Sequence, residues 1–564
     1  MIPGRWGRGF PAGGLLLALA LAVVLGWPGA ALVLEAARGT SLAETARGLM
    51  DTALAGAAGR PLGLAAATLR VTLGAEALAL PAGIALAVLL FRTDLWGRRL
   101  LLGLLALALF VPMPLHATAW LGAIGNVGRL QALGGRPLLT GWTGAAFVHA
   151  LAALPWVVLL AGVGLRSVET EAEESALLEM PARRVVVRVT LRRSLGALAA
   201  AALAVAVLTA GDMTVTDLLQ VRTYAEEAYI QSQLGEGPAA AAKVAIPPLL
   251  VLGGAILAGA RALGRWDPAR LVSSREQPRT WRLGRGRVPL GLAVVLLVGA
   301  VLAVPIYGLI WRAGRVSGRA AGGLPPHWSL GGLVGTLARA WPDVAEPSAL
   351  VLDPLRSPLL SSTLGAALGA TFAVILGWPL AWKARRPGMW AAVAAGVVAL
   401  LLAAPGPIVG LALKLAFLRV PAIHDTGAIV VLAYVARTLP YVVLILWPAL
   451  RAIPPAHLEV AAVEGYAGWR LAGHVAAPLA RPAIAAAWGV AFVLALGELP
   501  ASHLVLPPGW MTVSARVWML LHTGVESHLA GVGLILLIFY GAMSWGASQL
   551  LRRAGLRGTA GPPP

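Results

Sequence analysis

The stretch Leu458–Ile484, LEVAAVEGYAGWRLAGHVAAPLARPAI, lies between two long apolar runs and decides how the rest of the chain is read. It begins Glu459-Val460-Ala461, sets Gly465 six residues after the glutamate and Val475 ten residues after the glycine, and closes on Ala477-Pro478. Small residues followed by glycine predict a short helix and a turn, because glycine enters the left-handed backbone region without steric cost. A second short helix follows, and Pro478 is expected to end it, since proline lacks the amide that a helix interior needs. Glu459 is expected at the start of the first helix, where a carboxylate meets the positive end of the dipole.

A weaker copy precedes it by roughly 286 residues, as an internal repeat would. It reads Glu173-Glu174-Ser175, with Glu179 at the glycine position, then Val189, Leu191 and Arg192 where the second copy has proline. The acidic opening and the length are kept; the turn glycine and the closing proline are not. The second loop is therefore expected to tolerate change less well than the first.

Composition sets the context. The chain has 564 residues, 58% hydrophobic and 12% charged, with a mean hydropathy of +0.79. That is too apolar for a soluble globule of this length. It has no cysteine, which removes disulfides, thiolate metal sites and cysteine nucleophiles. The formal charge of +20 does not make a nucleic-acid surface, because the basic residues gather in short loops between apolar runs.

Runs long enough to cross a bilayer lie near 13–34, 65–91, 100–123, 142–165, 194–211, 240–262, 288–311, 358–382, 390–413, 426–449, 481–498 and 528–551, about twelve in all. The first is long and has a counterpart at 288–311, so it reads as a retained span rather than a cleaved signal peptide. With both loops placed in the cytoplasm, the inside segments, both termini among them, hold more than half of the Lys and Arg residues. The segment Arg261–Arg287 is the densest and reads as a basic cytoplasmic anchor. The stretch 312–357, with Pro325, Pro326, Pro342 and Pro347, is expected to be a long outside loop.

The halves repeat. Thr68-Leu69 and Leu73-Gly74-Ala75 match Thr363-Leu364 and Leu368-Gly369-Ala370; Pro112-Met113-Pro114 matches Pro405-Gly406-Pro407. Leu154-Pro155-Trp156 matches Leu439-Pro440-Tyr441, and Gly211-Asp212 matches Gly497-Glu498. The expected fold is an all-α integral membrane protein of two tandem parallel six-helix repeats: 1–265, a basic linker 266–287, and 288–564. Each half has an even number of spans, so both run the same way about an axis along the membrane normal, with a pathway between them.

Pathway candidates follow from the pattern. Pro112, Pro114, Pro405 and Pro407 should break the third helix of each half, where irregular backbone is tolerated facing protein or a cavity. Asp212 and Glu498 sit at the ends of matching helices, and Glu76 lies inside the second span, where an acid is costly. His116, His149 and His503 show no metal-ligand spacing and are read as structural, so no metal site is expected. There is no G-x4-G-K-[ST], so any ATP chemistry belongs to another chain.

The loop at Glu459 resembles the EAA loop of ABC importer permeases, E-A-A-x3-G-x9-I-x-L-P, with Val460, Val475 and Ala477 as departures. The resemblance covers nearly the whole chain and is to the fused two-half permeases of the type I fold, ferric-iron systems among them. It implies a transport subunit in the bacterial inner membrane rather than an enzyme. Glu173, Glu174, Ser175, Glu179, Glu459, Ala461, Gly465 and Pro478 would couple to a cytoplasmic ABC ATPase dimer that carries ATP and Mg. A periplasmic or extracellular binding protein would deliver the cargo, and bilayer lipid would surround the chain. Ferric iron is the implied cargo, since hard cations prefer oxygen ligands such as Asp212 and Glu498; thiamine, polyamines and phosphonates are alternatives. The other class is a secondary transporter of the major facilitator type, whose D-R-x-G-R-R loop the segment Asp94–Arg99 resembles.

Overall fold

Apolar segments in a bilayer must satisfy their backbone hydrogen bonds internally, and most of this chain is accordingly helical. The computed structural model describes residues 11–37, 60–125, 128–233, 279–316, 326–346, 357–523 and 526–553, with scattered positions between 246 and 261. In order, the helices used below are α1 (Pro11–Leu21), α2 (Trp27–Ala36), α3 (Arg60–Arg92), α4 (Arg98–Ala108), α5 (Met113–Ile124), α6 (Gly141–Arg166), α7 (Thr170–Leu177), α8 (Leu195–Ala210), α9 (Tyr224–Gln233), α10 (Arg287–Gly314), α11 (Leu330–Ala345), α12 (Pro358–Ala384), α13 (Met389–Ala403), α14 (Gly406–Phe417), α15 (Ala428–Arg451), α16 (Pro455–Val463), α17 (Arg481–Gly497), α18 (Val513–Thr523) and α19 (Glu526–Arg553).

Among the described residues, seven helices are long and apolar enough to cross a membrane, or eleven if each bent pair is one crossing. With the composition, this makes the chain a multi-pass membrane protein. The span expected near 240–262 lies largely outside the described residues. The runs near 100–123 and 390–413 are not single rods: α4 meets α5 at 107° and α13 meets α14 at 108°. Pro112 and Pro405 stand at these corners in extended backbone and cap α5 and α14. Pro114 and Pro407 occupy the first turns that follow, where the missing amide has no intrahelical partner to lose.

Two compact units divide the chain. The first comprises Met1–Leu95, Gly141–Arg287 and Thr363–Trp510. In it α3 packs on α6 and α12 on α15, each through glycine. A Cβ on Gly83 would lie 2.5 Å from Val157 Cγ1, and one on Gly377 would lie 2.6 Å from Val442 Cγ1. Close backbone approach of this kind is how apolar helices gain contact when lipid offers no hydrophobic drive. In the same unit, α2 lies on α14, with Leu32 and Ala36 buried against Ile408, Leu411 and Ala412, and Trp27 Nε1 donates to the Ala416 carbonyl at 2.9 Å.

The second unit comprises Trp96–Thr140, Val288–Ser362 and Met511–Pro564. Here α10 lies on α5, where a Cβ on Gly308 would fall 2.5 Å from the Ala119 carbonyl oxygen. The expected long loop 312–357 holds more structure than a loop: an antiparallel pair of short strands, Arg315–Val316 with His327–Trp328, and the helix α11. Ser329 caps α11 by accepting the Gly332 amide at 3.0 Å. Thr336, Ala340 and Val344 form a buried stripe on α11, and Thr336 and Ala340 meet α19 at Gly531. Asp343 adds bonds to Arg516 and His528. The prolines of this stretch masked that periodicity; Pro325 and Pro347 lie outside the described residues.

Candidate functional site

The second loop begins on α16, whose first residues are Pro455 and Ala456. Glu459 is thus in the second turn rather than at the dipole's positive end, which corrects the expectation from sequence. The helix ends at Glu464, and Gly465 takes φ +86°. The Tyr466 amide donates to Ala461 and the Gly465 amide to Ala462, both at 3.0 Å. This paired closure requires a left-handed residue after the cap, and Gly465 supplies it. Four residues then form Gly468–Leu471, a π turn spans Ala472–Ala476, and Ala477–Leu479 completes the return. Pro478 does not end the helix: it sits in the last helical piece, and the chain bends by 82° one residue after Leu479, into α17. Glu459, Val460, Val463 and Tyr466 are exposed, while Ala461 is buried.

The first loop repeats this build at a constant offset of 286 residues. Its pieces are α7, Ala182–Val185, a π turn Val186–Thr190, and Leu191–Arg193 before a 67° bend into α8. The π turn recurs with Arg192 at the proline position, so proline is not its cause. At the turn, Glu179 does not take positive φ. The Met180 amide donates to Ala176 at 3.0 Å, one residue short of the closure made in the second loop, and Pro181 starts the next helix.

The two motif glutamates have opposite surroundings. Glu173 is fully buried and paired with Arg92, the last residue of α3. Its other oxygen accepts the Thr190 hydroxyl at 2.6 Å, and Arg92 Nη1 donates to the Leu165 carbonyl at 2.9 Å. One buried cluster thereby ties the ends of α3 and α6 to both helices of the first loop. Glu174 and Ser175 stay exposed; Glu174 meets Arg279 at 3.3 Å and Ser175 Oγ donates to the Glu171 carbonyl. In the second half, the basic residue after α12, Arg385, turns back over Trp382 at 3.3 Å and leaves Glu459 in solvent.

The described part of the linker docks beside the first loop. The Trp281 amide donates to Arg92 at 2.7 Å, the Asp94 amide donates to Trp281, and the Leu283 amide donates to the Asp94 carboxylate at 2.9 Å.

Of the pathway candidates, the two matched acids are engaged. Asp212 accepts the Val215 amide at 2.9 Å and faces His149 Nε2 at 3.2 Å. Glu498 accepts the Ala501 and Ser502 amides, both at 2.8 Å, with Arg437 Nε 4.0 Å away. Each carboxylate closes the turn after its helix, a local capping use. Glu76 is half-buried in α3. Among the described residues no group of three or more His, Asp or Glu could hold a metal ion.

Sequence reading missed Glu226 in α9, outside the candidate crossings. It is buried, and its Oε2 has no hydrogen-bond partner. Burial first, with the charges of Asp217 and Glu227 adding to it, pushes its carboxyl up to about 7, against a Thr223 hydrogen bond and the Arg222 charge. The Ala-Glu-Glu run looks like an ordinary polar turn, and only the packing of α9 on α14 reveals the burial.

No protein-family model matches the chain. It is similar to the spermidine/putrescine transport system permease protein PotC of Escherichia coli (strain K12), with 27% identity over 129 residues, 23% of this chain and 48% of that protein. The PotC of Shigella flexneri matches to the same extent. The chain spans about half the length of the curated relatives it matches. The likeness is thus to part of a transport-system permease, and it accords with the many apolar helices of this chain.

Proposed function

We propose that this chain is the whole membrane pathway of a binding-protein-dependent ABC importer, two six-helix halves in tandem with the type I arrangement. The observation that carries the reading is the pair of loops with the same succession of helix, turn, helix, π turn and bend at a constant offset. Several features support the tandem plan. The first helix of each half lies on the bent third helix of the other, α2 on α14 and α10 on α5. The matched glycines pack the second helix on the fourth in both halves. In this plan 1–265, 266–287 and 288–564 are first half, cytoplasmic linker and second half, and the run near 240–262 is the sixth crossing expected from the sequence. Both termini and both loops face the cytoplasm of a bacterium, and the partners are an ATPase dimer carrying ATP and Mg and a binding protein on the opposite face.

The ATPase pair would draw the two loops together on closing. In the first loop the pull passes from α7 through Glu173 and Arg92 to α3 and through the Leu165 carbonyl to α6. In the second it passes through the Gly465 turn into α17. Glu174, Ser175, Glu179, Ala461 and Pro478 shape the docking faces; Pro112, Pro114, Pro405, Pro407 and Glu76 are the pathway positions.

The cargo we assign is a polyamine. The similarity to PotC favours it over ferric iron, which leaned on a resemblance in overall plan and on Asp212 and Glu498, both engaged by backbone amides. A single buried carboxyl at Glu226, whose Oε2 has no hydrogen-bond partner, also suits an ammonium cargo better than a metal that needs several ligands. The test is reconstitution in liposomes with the cognate ATPase and binding protein. Spermidine-loaded binding protein should stimulate ATP hydrolysis and drive labelled spermidine inward. Stimulation by an iron-loaded or thiamine-loaded partner alone would move the cargo and leave the importer reading intact. If no ATPase co-purifies and an ion gradient alone drives uptake, the importer reading itself fails in favour of a secondary transporter.

A further inference from the structure

The first loop carries a groove at its bend into α8. It is open, with a volume of about 520 Å³, and is lined by Val187, Arg188, Leu191, Arg192, Leu195 and Leu198. Val187, Leu191, Leu195 and Leu198 recur at helical spacing and make one apolar stripe across the 67° bend. Leu195 and Leu198 belong to α8, the membrane-crossing arm, whereas Arg188 and Arg192 lie on the arm before the bend. Both arginines are exposed and form no ion pair among the described residues, unlike the adjacent Arg193, which meets Glu169 at 2.7 Å. Val187 and Leu195 are 58% and 43% exposed, so the groove floor is open apolar surface.

A surface with arginines at one end and leucines entering the bilayer at the other matches an amphiphile with an anionic head. Arginine's planar fork binds phosphate oxygens in pairs, and basic pockets beside membrane helices hold anionic headgroups. The equivalent positions of the second loop, Gly473, His474, Ala477, Pro478, Arg481 and Ile484, offer neither the stripe nor the arginine pair. We infer that this groove binds one anionic phospholipid, its phosphate between Arg188 and Arg192 and an acyl chain along Leu195 and Leu198. The bound lipid would hold the return arm of the first loop against the membrane surface while the second loop stays free.

The test uses the full chain in phosphatidylcholine nanodiscs with and without phosphatidylglycerol, read by native mass spectrometry and thermal unfolding. The wild type should retain phosphatidylglycerol and unfold at a higher temperature with it. Arg188→Gln/Arg192→Gln should bind it roughly tenfold or more weakly, and Leu198→Gln should also weaken it. The charge-matched control Arg183→Gln/Arg184→Gln, which changes exposed arginines outside the groove, should bind as wild type does. Equal weakening in the control would reduce the effect to surface charge and overturn the site. Stabilisation by inorganic phosphate or glycerophosphoglycerol alone would make it an anion site rather than a lipid groove. Loss of ATPase association with lipid retention unchanged would give the groove to the ATPase instead.

Discussion

Neutralising the two motif glutamates should have unequal consequences, although they are equivalent in the repeat. Glu173 and Arg92 are both 0% exposed. Glu173→Gln leaves the guanidinium out of water with the Leu165 carbonyl as its remaining strong partner, and breaking a buried pair from one side costs about 3–5 kcal/mol. Arg92→Met strands the carboxylate on the Thr190 hydroxyl and should cost a similar amount. Arg92→Met/Glu173→Met removes both charges and should return to within about 1–2 kcal/mol of wild type, because apolar replacements of a whole buried pair are often neutral. The resulting coupling energy is then roughly 3 kcal/mol or more, beyond what independent sites show. Glu459→Gln, in solvent, should stay within about 0.5 kcal/mol. The assay is unfolding of the purified variants in detergent, with cargo-stimulated ATP hydrolysis measured on those that fold. The reasoning is refuted if Glu173→Gln behaves like Glu459→Gln, or if the double variant is as unstable as the two singles added together.

Other expectations can be checked with the same material. Gly83→Ala and Gly377→Ala push a methyl into Val157 and Val442 and should each cost about 1–3 kcal/mol, while Gly103→Ala, with open space around it, should be neutral or mildly stabilising. Gly465→Ala should cost about 1–2 kcal/mol in the turn and reduce co-purification of the ATPase. Glu226 keeps its proton in the folded chain up to about pH 7 but releases it near 4.5 when unfolded, so stability should fall as pH rises between those values. The amplitude is about 3 kcal/mol, and Glu226→Gln should remove that slope in a pH series of unfolding curves. Cysteines at the exposed positions Ser175 and Glu464 should react with an impermeant maleimide from the same side of the membrane; opposite sides would break the parallel plan.

Much of the helical order was legible because long apolar runs between basic loops have few other solutions. The corners at Pro112 and Pro405 were legible too, since an extended residue before proline and proline in the next first turn leave little alternative. What the linear pattern could not show is what each polar group touches. Asp212 and Glu498 recur at matching helix ends whether they await a cation or close a turn, and only the amides of Val215, Ala501 and Ser502 decide between those uses. Helix α11 was hidden for a different reason: Pro342 in its interior and prolines around it outweighed a stripe of three buried residues spaced by four.

The same limit explains why the first loop looked like a decayed copy of the second. Scored against the motif, Glu179 and Arg192 are losses. In three dimensions the loop keeps the succession of its counterpart, with the pieces from Ala182 to Arg193 matching Gly468 to Leu479 at one offset, so the replaced residues did not set the architecture. The turn without glycine makes a closure one residue shorter, from Met180 to Ala176, and Pro181 precedes the next helical piece. The place of the closing proline is taken by an arginine that faces an open groove beside the membrane-crossing arm. Meanwhile the one motif residue that both loops keep, the glutamate, is an internal ion-pair partner in one and a solvent-facing group in the other. Two loops encoded in one chain can each change without changing the other. Here Glu173 is tied by Arg92 to the end of α3, while Glu459 stays in solvent beside the exposed Val460, Val463 and Tyr466.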